Sequence, residues 1–342
     1  MYVKESIIFR MKKIFFILLF TMIWSCDKEP LKDYRQIGGV AFGTSFNITF
    51  DDAKTNISEV DIDSLIHAMN KSLSTYIPNS DISKINRGDT TVIVDALFQE
   101  VFEKSAKIYL ETDGAFDPTI GTLVNAWGFG PEDSLGQMEQ RTVDSLLVFV
   151  GFDQVRLDNG KLIKKHPETY LDFNANAKGF AVDVIGRFLE SKEILNYLIE
   201  IGGEIRARGV NSKTQPWRIA IEEPNFDGSR SFQTIVALNN ESIATSGNYR
   251  KFKIDSLSGE KYAHTIDTQT GYPSKSNLLS ASVIAKLDCA DVDAYATAFM
   301  AMGLEKTKQF IEKHDEIKVF LIYNDGENGL KTFRTENLIL EN

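Results

Sequence analysis

DFNANAKGFAVDVIGRFLESKEILNYLIEIGGEIRARGV, residues 172–210, holds the change of period on which the fold turns. Across residues 178–191, Phe180, Val184, Ile185, Phe188 and Leu189 recur at three- and four-residue spacing, which predicts an amphipathic helix. Beyond it the pattern shortens. Residues 197–201 and 205–210 read as strands on either side of Gly202-Gly203, and residues 217–221 and 232–238 continue the series. One helix feeding a run of short strands through tight turns is the signature of an α+β architecture.

Working outward, residues 40–50 read as a strand interrupted by Gly43-Thr44-Ser45. Helices are predicted over residues 61–73, with Ile62, Leu65, Ile66 and Met69 on one face, and over residues 95–111 and 142–150. Residues 155–163 read as a hairpin turning at Asp158-Asn159-Gly160. On the C-terminal side, residues 291–302 read as a helix, and residues 319–323 and 330–333 as closing strands. No linker or repeat divides residues 40–342, so the expectation is an α+β fold: a single large mixed-sheet domain with packed helices.

A chain of 342 residues, 43% hydrophobic and 25% charged, can bury a substantial core. Its net charge of −10, with no basic cluster beyond the N-terminus, excludes general nucleic-acid binding, which needs clustered Lys and Arg on phosphate. Lys12-Lys13 precedes an apolar run, residues 14–24, that meets Ser25-Cys26. A membrane-spanning helix needs about 20 apolar residues, so this shorter run reads as a signal peptide, with Met11-Lys12-Lys13 as its start. Ending on Cys, it resembles a bacterial lipobox in which Cys26 is acylated, although Trp24 is untypical there. The expected organisation is a signal peptide over 1–25, a lipidated tether over 26–39 and one folded domain over 40–342. Of two cysteines, Cys289 would then have no intrachain partner.

Four segments carry chemistry. Asp117-Pro118 reads as a helix start, with a side-chain N-cap and proline at the first position, which would present backbone amides to an anion. Asp172-Phe173-Asn174-Ala175-Asn176-Ala177-Lys178-Gly179 runs into a helix, its small residues allowing close approach and Lys178 offering charge to a phosphate. Asp293 and Thr297, four apart, share a helix face; a carboxylate beside a hydroxyl is hard-oxygen ligation suited to Mg²⁺. His264 lies among turn-forming residues, where an imidazole could accept a proton from a hydroxyl. Taken singly, each has a structural alternative: a capped turn, a solvated lysine, a threonine bonded to its own turn, a packed histidine. The chain has neither a Walker-type phosphate loop nor a Gly-x-Ser-x-Gly elbow, and Gly202-Gly203 lacks the full dinucleotide fingerprint.

In order and spacing these segments resemble the ApbE-type FAD:protein FMN transferases. The likeness runs through Gly43-Thr44-Ser45, Ser74-Thr75-Tyr76, Ser83-Lys84-Ile85-Asn86, Asp113-Gly114-Ala115-Phe116-Asp117-Pro118-Thr119 and Trp127-Gly128-Phe129. It continues through Asp172 to Gly179, Gly202-Gly203-Glu204, Thr245-Ser246-Gly247, His264-Thr265-Ile266-Asp267 and Asp293-Ala294-Tyr295-Ala296-Thr297.

The resemblance implies FAD as substrate and Mg²⁺ as cofactor. It places Phe42, Tyr76, Ala115, Phe116, Asp117, Asp172, Lys178 and Ile266 against FAD, and the Ala175 carbonyl, Asp293 and Thr297 on Mg²⁺. His264 becomes the general base. Phe42 stands where the family usually has methionine, Thr268 where it often has proline, and Asn174 and Asn176 are atypical. The implied reaction moves FMN from FAD to a Thr or Ser hydroxyl of an acceptor protein, releasing AMP. The acceptor class is a membrane redox subunit, which suits a lipid-anchored enzyme at the inner membrane facing the periplasm. Two other readings share these residues: an FAD pyrophosphatase yielding FMN and AMP, and a non-catalytic FAD-binding lipoprotein.

Overall fold

The computed structural model describes residues 33–51, 56–136, 138–224, 231–248, 252–254 and 261–341. Cys26, the expected signal peptide and most of the expected tether lie outside the described residues. Asp33–Asn342 make up one compact unit.

The first two strands, β1 (Tyr34–Ala41) and β2 (Thr44–Asp51), form a hairpin. The stretch read as one interrupted strand is therefore two, and Tyr34 to Gly39, read as tether, are already sheet. The loop is only Phe42-Gly43, with φ +53° and +75°. A two-residue connection with both φ positive matches the twist of the strands it joins. Glycine takes this conformation freely; phenylalanine takes it at a steric cost.

Next come α1 (Glu59–Leu73), α2 (Asp81–Asn86), α3 (Ala96–Glu111), α4 (Gly121–Ala126) and α5 (Gln140–Leu147). Ser58 and Asp61 close a capping box at the start of α1, and Asp95 caps α3 by accepting from the Phe98 amide. The predicted hairpin is β3 (Val155–Asp158) with β4 (Lys161–Lys164). Then follow α6 (Ala177–Ser191), β5 (Tyr197–Ile201), β6 (Glu204–Arg208), β7 (Trp217–Glu222), β8 (Phe232–Leu238) and β9 (Ser242–Gly247). After β10 (Phe252–Ile254), β11 (Lys261–Ala263) and β12 (Leu278–Ala285) comes α7 (Cys289–Ile311), broken at Gly303, where φ is +79°. The chain closes with β13 (Lys318–Asn324), β14 (Leu330–Arg334) and β15 (Leu340–Glu341).

Eight strands make one antiparallel sheet in the order β1-β2-β5-β6-β9-β12-β13-β14. Its central strands are buried on both faces. On β13, Val319 and Leu321 face the helical core with Phe180, Ile185 and Phe299, while Phe320 and Ile322 join Trp217, Val236 and Leu238 of the three-stranded sheet β15-β8-β7. The expected α+β class is the observed one, with α6 and α7 packed on the same face of the sheet.

Gly179 marks where α6 and α7 cross. A Cβ there would press on the Cys289 carbonyl and sit 2.8 Å from the Ala290 nitrogen, and neither backbone group can swing aside. Gly179→Ala is expected to destabilise the protein by about 3 kcal/mol, the upper range for overpacking a rigid contact. Urea unfolding would measure it, and a loss below about 1 kcal/mol would mean that the crossing is looser than it looks.

Candidate active site

The motif segments, spread from Phe42 to Thr297, meet through a chain of hydrogen bonds. Gly202 donates from its amide to the Ser45 carbonyl (3.1 Å), joining the Phe42-Gly43 turn to Gly202-Gly203. Asn174 donates to the Thr75 hydroxyl (3.2 Å), holding the Tyr76 loop against residues 172–176. The Asp172 amide donates to the Pro118 carbonyl (2.8 Å), so the Asp117 turn lies alongside. Thr268 donates to the Gly114 carbonyl (2.7 Å) and Trp127 to the Gly271 carbonyl (2.9 Å), docking the His264 loop on residues 114–129. Thr265 donates to Asn248 (2.9 Å) at the end of β9, and Ser246 lies 3.3 Å from the Thr297 hydroxyl.

At the centre is a cluster of buried charge. Lys178 reaches Glu204 Oε1 at 2.9 Å and Asp293 Oδ2 at 3.9 Å. Asp293 also accepts from the Gly179 amide (3.1 Å). Two buried carboxylates thus face one ammonium, and Glu204 Oε2 has no hydrogen-bond partner among the described residues. Burial pushes the Glu204 carboxyl up to about 8, against the pull of Lys178 and with Asp293 adding to the rise. Burial likewise raises Asp293, opposed by Lys178 and the Gly179 amide. Burial alone would lower Lys178, but Asp293 and Glu204 hold it above the ordinary lysine range. Glu204 ends the Gly-Gly-Glu motif, and nothing in its local spacing shows that a two-glycine turn delivers it to Lys178.

A nearby divalent cation would offset the burial that opposes ionisation of these two carboxylates, and the hard-oxygen donors of Asp293 and Thr297 suit one. Among the described residues no group of three or more His, Cys, Asp and Glu side chains is arranged to hold a metal. The candidate donors among these residues are one carboxylate, Asp293, and neutral oxygens. Such a site suits Mg²⁺, which keeps several waters and shares substrate phosphates.

The remaining site residues fall in distinct settings. Tyr76 is 61% exposed, a free aromatic face beside Asp172. Burial raises Asp172, whose carboxylate accepts from the Asn174 amide (2.8 Å). Phe42 packs partly on the core from its left-handed turn, and a bulky residue held at that φ is a common mark of a functional position. Phe116 is buried in the main core, leaving its turn's backbone and Ala115 as the accessible part. Ile266 packs with Leu123 and Val143 in a smaller core under α4 and α5. His264 follows β11 directly and lies edge-on to Phe129, ring centroids 6.5 Å apart.

Asp117 departs from its expected setting. It does not cap a helix at Pro118: α4 starts at Gly121, and Ile120 precedes it without a side-chain cap. Instead the Asp117 carboxylate accepts from the Thr119 amide (2.7 Å) and hydroxyl (2.6 Å), closing a local turn. Burial outweighs these bonds and pushes its carboxyl up to about 6. The protonated form is thus favoured on folding, and the stability Asp117 contributes is full at low pH and lost as pH rises through about 6. Asp117→Asn, neutral throughout, is expected to gain on the parent by on the order of 2 kcal/mol between about pH 4 and about pH 7. Denaturant unfolding at both pH values checks this, and parallel stability curves would contradict it.

A model of the ApbE family matches residues 42–321. The FAD:protein FMN transferase of Haemophilus influenzae is 34% identical over 323 residues, covering 90% of this chain and 91% of that protein. The protein of the same name from Vibrio cholerae is 35% identical over 328 residues, covering 92% and 94%. Among solved structures, the flavin transferase ApbE from Vibrio cholerae aligns with a TM-score of 0.79 at 32% identity, over 89% of this chain and 98% of that one.

Proposed function

The chain belongs to the ApbE family, and on that premise we propose that it is a FAD:protein FMN transferase. The acceptor's Thr or Ser hydroxyl oxygen attacks the phosphorus on the FMN side of FAD. A new P–O bond forms, the pyrophosphate P–O bond breaks, AMP leaves, and flavin remains on the protein as a phosphoester. FAD is a substrate here and is consumed.

The residues divide the work. Tyr76 offers its exposed ring to the isoalloxazine. Lys178, held from behind by Glu204, directs an ammonium to the phosphates. Asp172 and the backbone around Ala115 and Asp117 line the dinucleotide, with Phe42 and Ile266 in the positions the family uses against flavin. His264 takes the proton from the acceptor hydroxyl at its ring nitrogen. Asp293, Thr297 and the Ala175 carbonyl would hold Mg²⁺. Charge developing on the phosphate oxygens as the bond breaks would be neutralised by an ion held there.

The observation carrying this reading is the Lys178–Glu204–Asp293 cluster: one cation and two buried carboxylates make a site for a phosphate and a second cation together. The N-terminal Lys12-Lys13, apolar run and Cys26 support export and lipid anchoring, and we place the anchor at the inner membrane, facing the periplasm. That location suits a membrane redox subunit as acceptor. Chromatography of a reaction with FAD and acceptor tests the assignment. AMP formed in step with loss of FAD, without free FMN, supports transfer; equal AMP and free FMN would make the protein a pyrophosphatase instead.

A further inference from the structure

Helix α7 carries both Asp293 and Thr297, yet it does not cap its own start. Asp288, at the N-cap position, makes no side-chain bond to the first turn. Its carboxylate turns away to Lys104 (2.7 Å) and Arg206 (2.8 Å). The first two amides of α7 donate instead to Asp183, a fully buried residue of α6: Cys289 N to Oδ1 at 2.8 Å, Ala290 N to Oδ2 at 2.9 Å.

Helix α6 is arranged in the same way. Asn176, at its N-cap position, makes no side-chain cap bond, and its third amide, Gly179 N, donates to Asp293 of α7. Each helix supplies the carboxylate that the other lacks. Asp183 lies one turn beyond Gly179 and Asp293 one turn beyond Cys289, so the two bonds flank the close crossing at Gly179. Burial and the neighbouring Asp288 push the Asp183 carboxyl up to about 6, a cost offset by both amides and by Arg206 at 2.7 Å. Arg206 is itself fixed by the Tyr197 hydroxyl (3.1 Å) and Glu190 (3.3 Å).

We propose that Asp183 is a positioning residue which, by capping α7 from α6, holds Asp293 and Thr297 in register with the Ala175 carbonyl for the divalent cation. The inference rests on the metal reading above. Ala175 leads directly into α6, whereas Asp293 and Thr297 belong to α7, so the ligand set exists only while the two helices keep this register. A freed first turn of α7 would shift Asp293 against Ala175 without touching either.

The test is titration of the full chain with Mn²⁺, followed by electron paramagnetic resonance, with FAD present. Asp183→Ala is expected to weaken Mn²⁺ binding about tenfold, because a displaced α7 would move Asp293 and Thr297 off their ligating positions. Asp183→Asn keeps one acceptor oxygen and should recover part of that loss. FAD affinity without metal should stay within about twofold in both, since no flavin contact is removed. A parent chain that binds Mn²⁺ and folded variants that bind it equally well would overturn the positioning role alone. A parent that binds no Mn²⁺ would overturn the metal reading and this inference with it. If Asp183→Ala does not fold, Asp183→Asn decides, and failure of both to fold would make Asp183 a structural residue only.

Discussion

Asp293→Asn is expected to lower Mg²⁺-dependent FMN transfer by about a thousandfold while leaving the fold in place. The amide fills the same space and can still accept from the Gly179 amide, so the α6–α7 crossing keeps its bond. What it loses is charge. The site then presents Glu204 alone to Lys178, and the one charged oxygen ligand proposed for the divalent cation is gone. Charge stabilisation by a bound metal is worth several kcal/mol, and about 1.4 kcal/mol corresponds to each factor of ten in rate. Asp293→Ala should be as inactive and also less stable, because it strands the Gly179 amide. Initial rates across a Mg²⁺ series, with thermal unfolding alongside, separate the two effects. Activity in Asp293→Asn that saturates at the parent's Mg²⁺ concentration would remove Asp293 from the metal site.

The second large effect concerns His264. His264→Ala should slow transfer by about a hundredfold to ten-thousandfold, the span observed for loss of a general base, while FAD binding barely changes. The loop that carries His264 is fixed independently of the imidazole. Thr265 binds Asn248, Thr268 binds Gly114, and the Asp267 carboxylate accepts from the Gln269 amide (2.8 Å) to close its own turn. Removing the ring should therefore leave the flavin site standing. Single-turnover transfer rates, set beside FAD affinity from quenching of flavin fluorescence, make the comparison. Equal losses in both would make His264 a binding residue.

Elements whose local signals agree were legible in the sequence. Helices α1, α3 and α6 combine an apolar stripe with polar or small flanks, and two carry capping residues, Ser58 and Asp95, in plain view. The strand pairs around Gly202-Gly203 and Asn159-Gly160 were marked by their turns. The first six residues of strand β1 escaped because Gly38 and Gly39 on a sheet edge break the alternation. Strands β9 and β12 escaped for the opposite reason: buried on both faces and rich in Ser, Ala and Thr, they lack the period-two contrast. Asp117-Pro118 had the composition of a helix start, but Thr119 captured the carboxylate and delayed the helix by one turn.

Of the site, the motif residues were legible through their order along the chain and their resemblance to a family. The partners that arrange them were not. Glu204 behind Lys178, Ser246 beside Thr297 and Asp183 under α7 act across the fold, and no spacing rule within a strand or helix reports such contacts.

The central claim, that this chain moves FMN from FAD onto protein using a metal, is tested most directly by in-gel fluorescence. The protein is incubated with FAD, Mg²⁺ and a flavoprotein acceptor bearing the target threonine, then denatured and resolved. A fluorescent acceptor band that disappears when EDTA replaces Mg²⁺ is the expected result. A dark acceptor band accompanied by FMN and AMP in solution would contradict it.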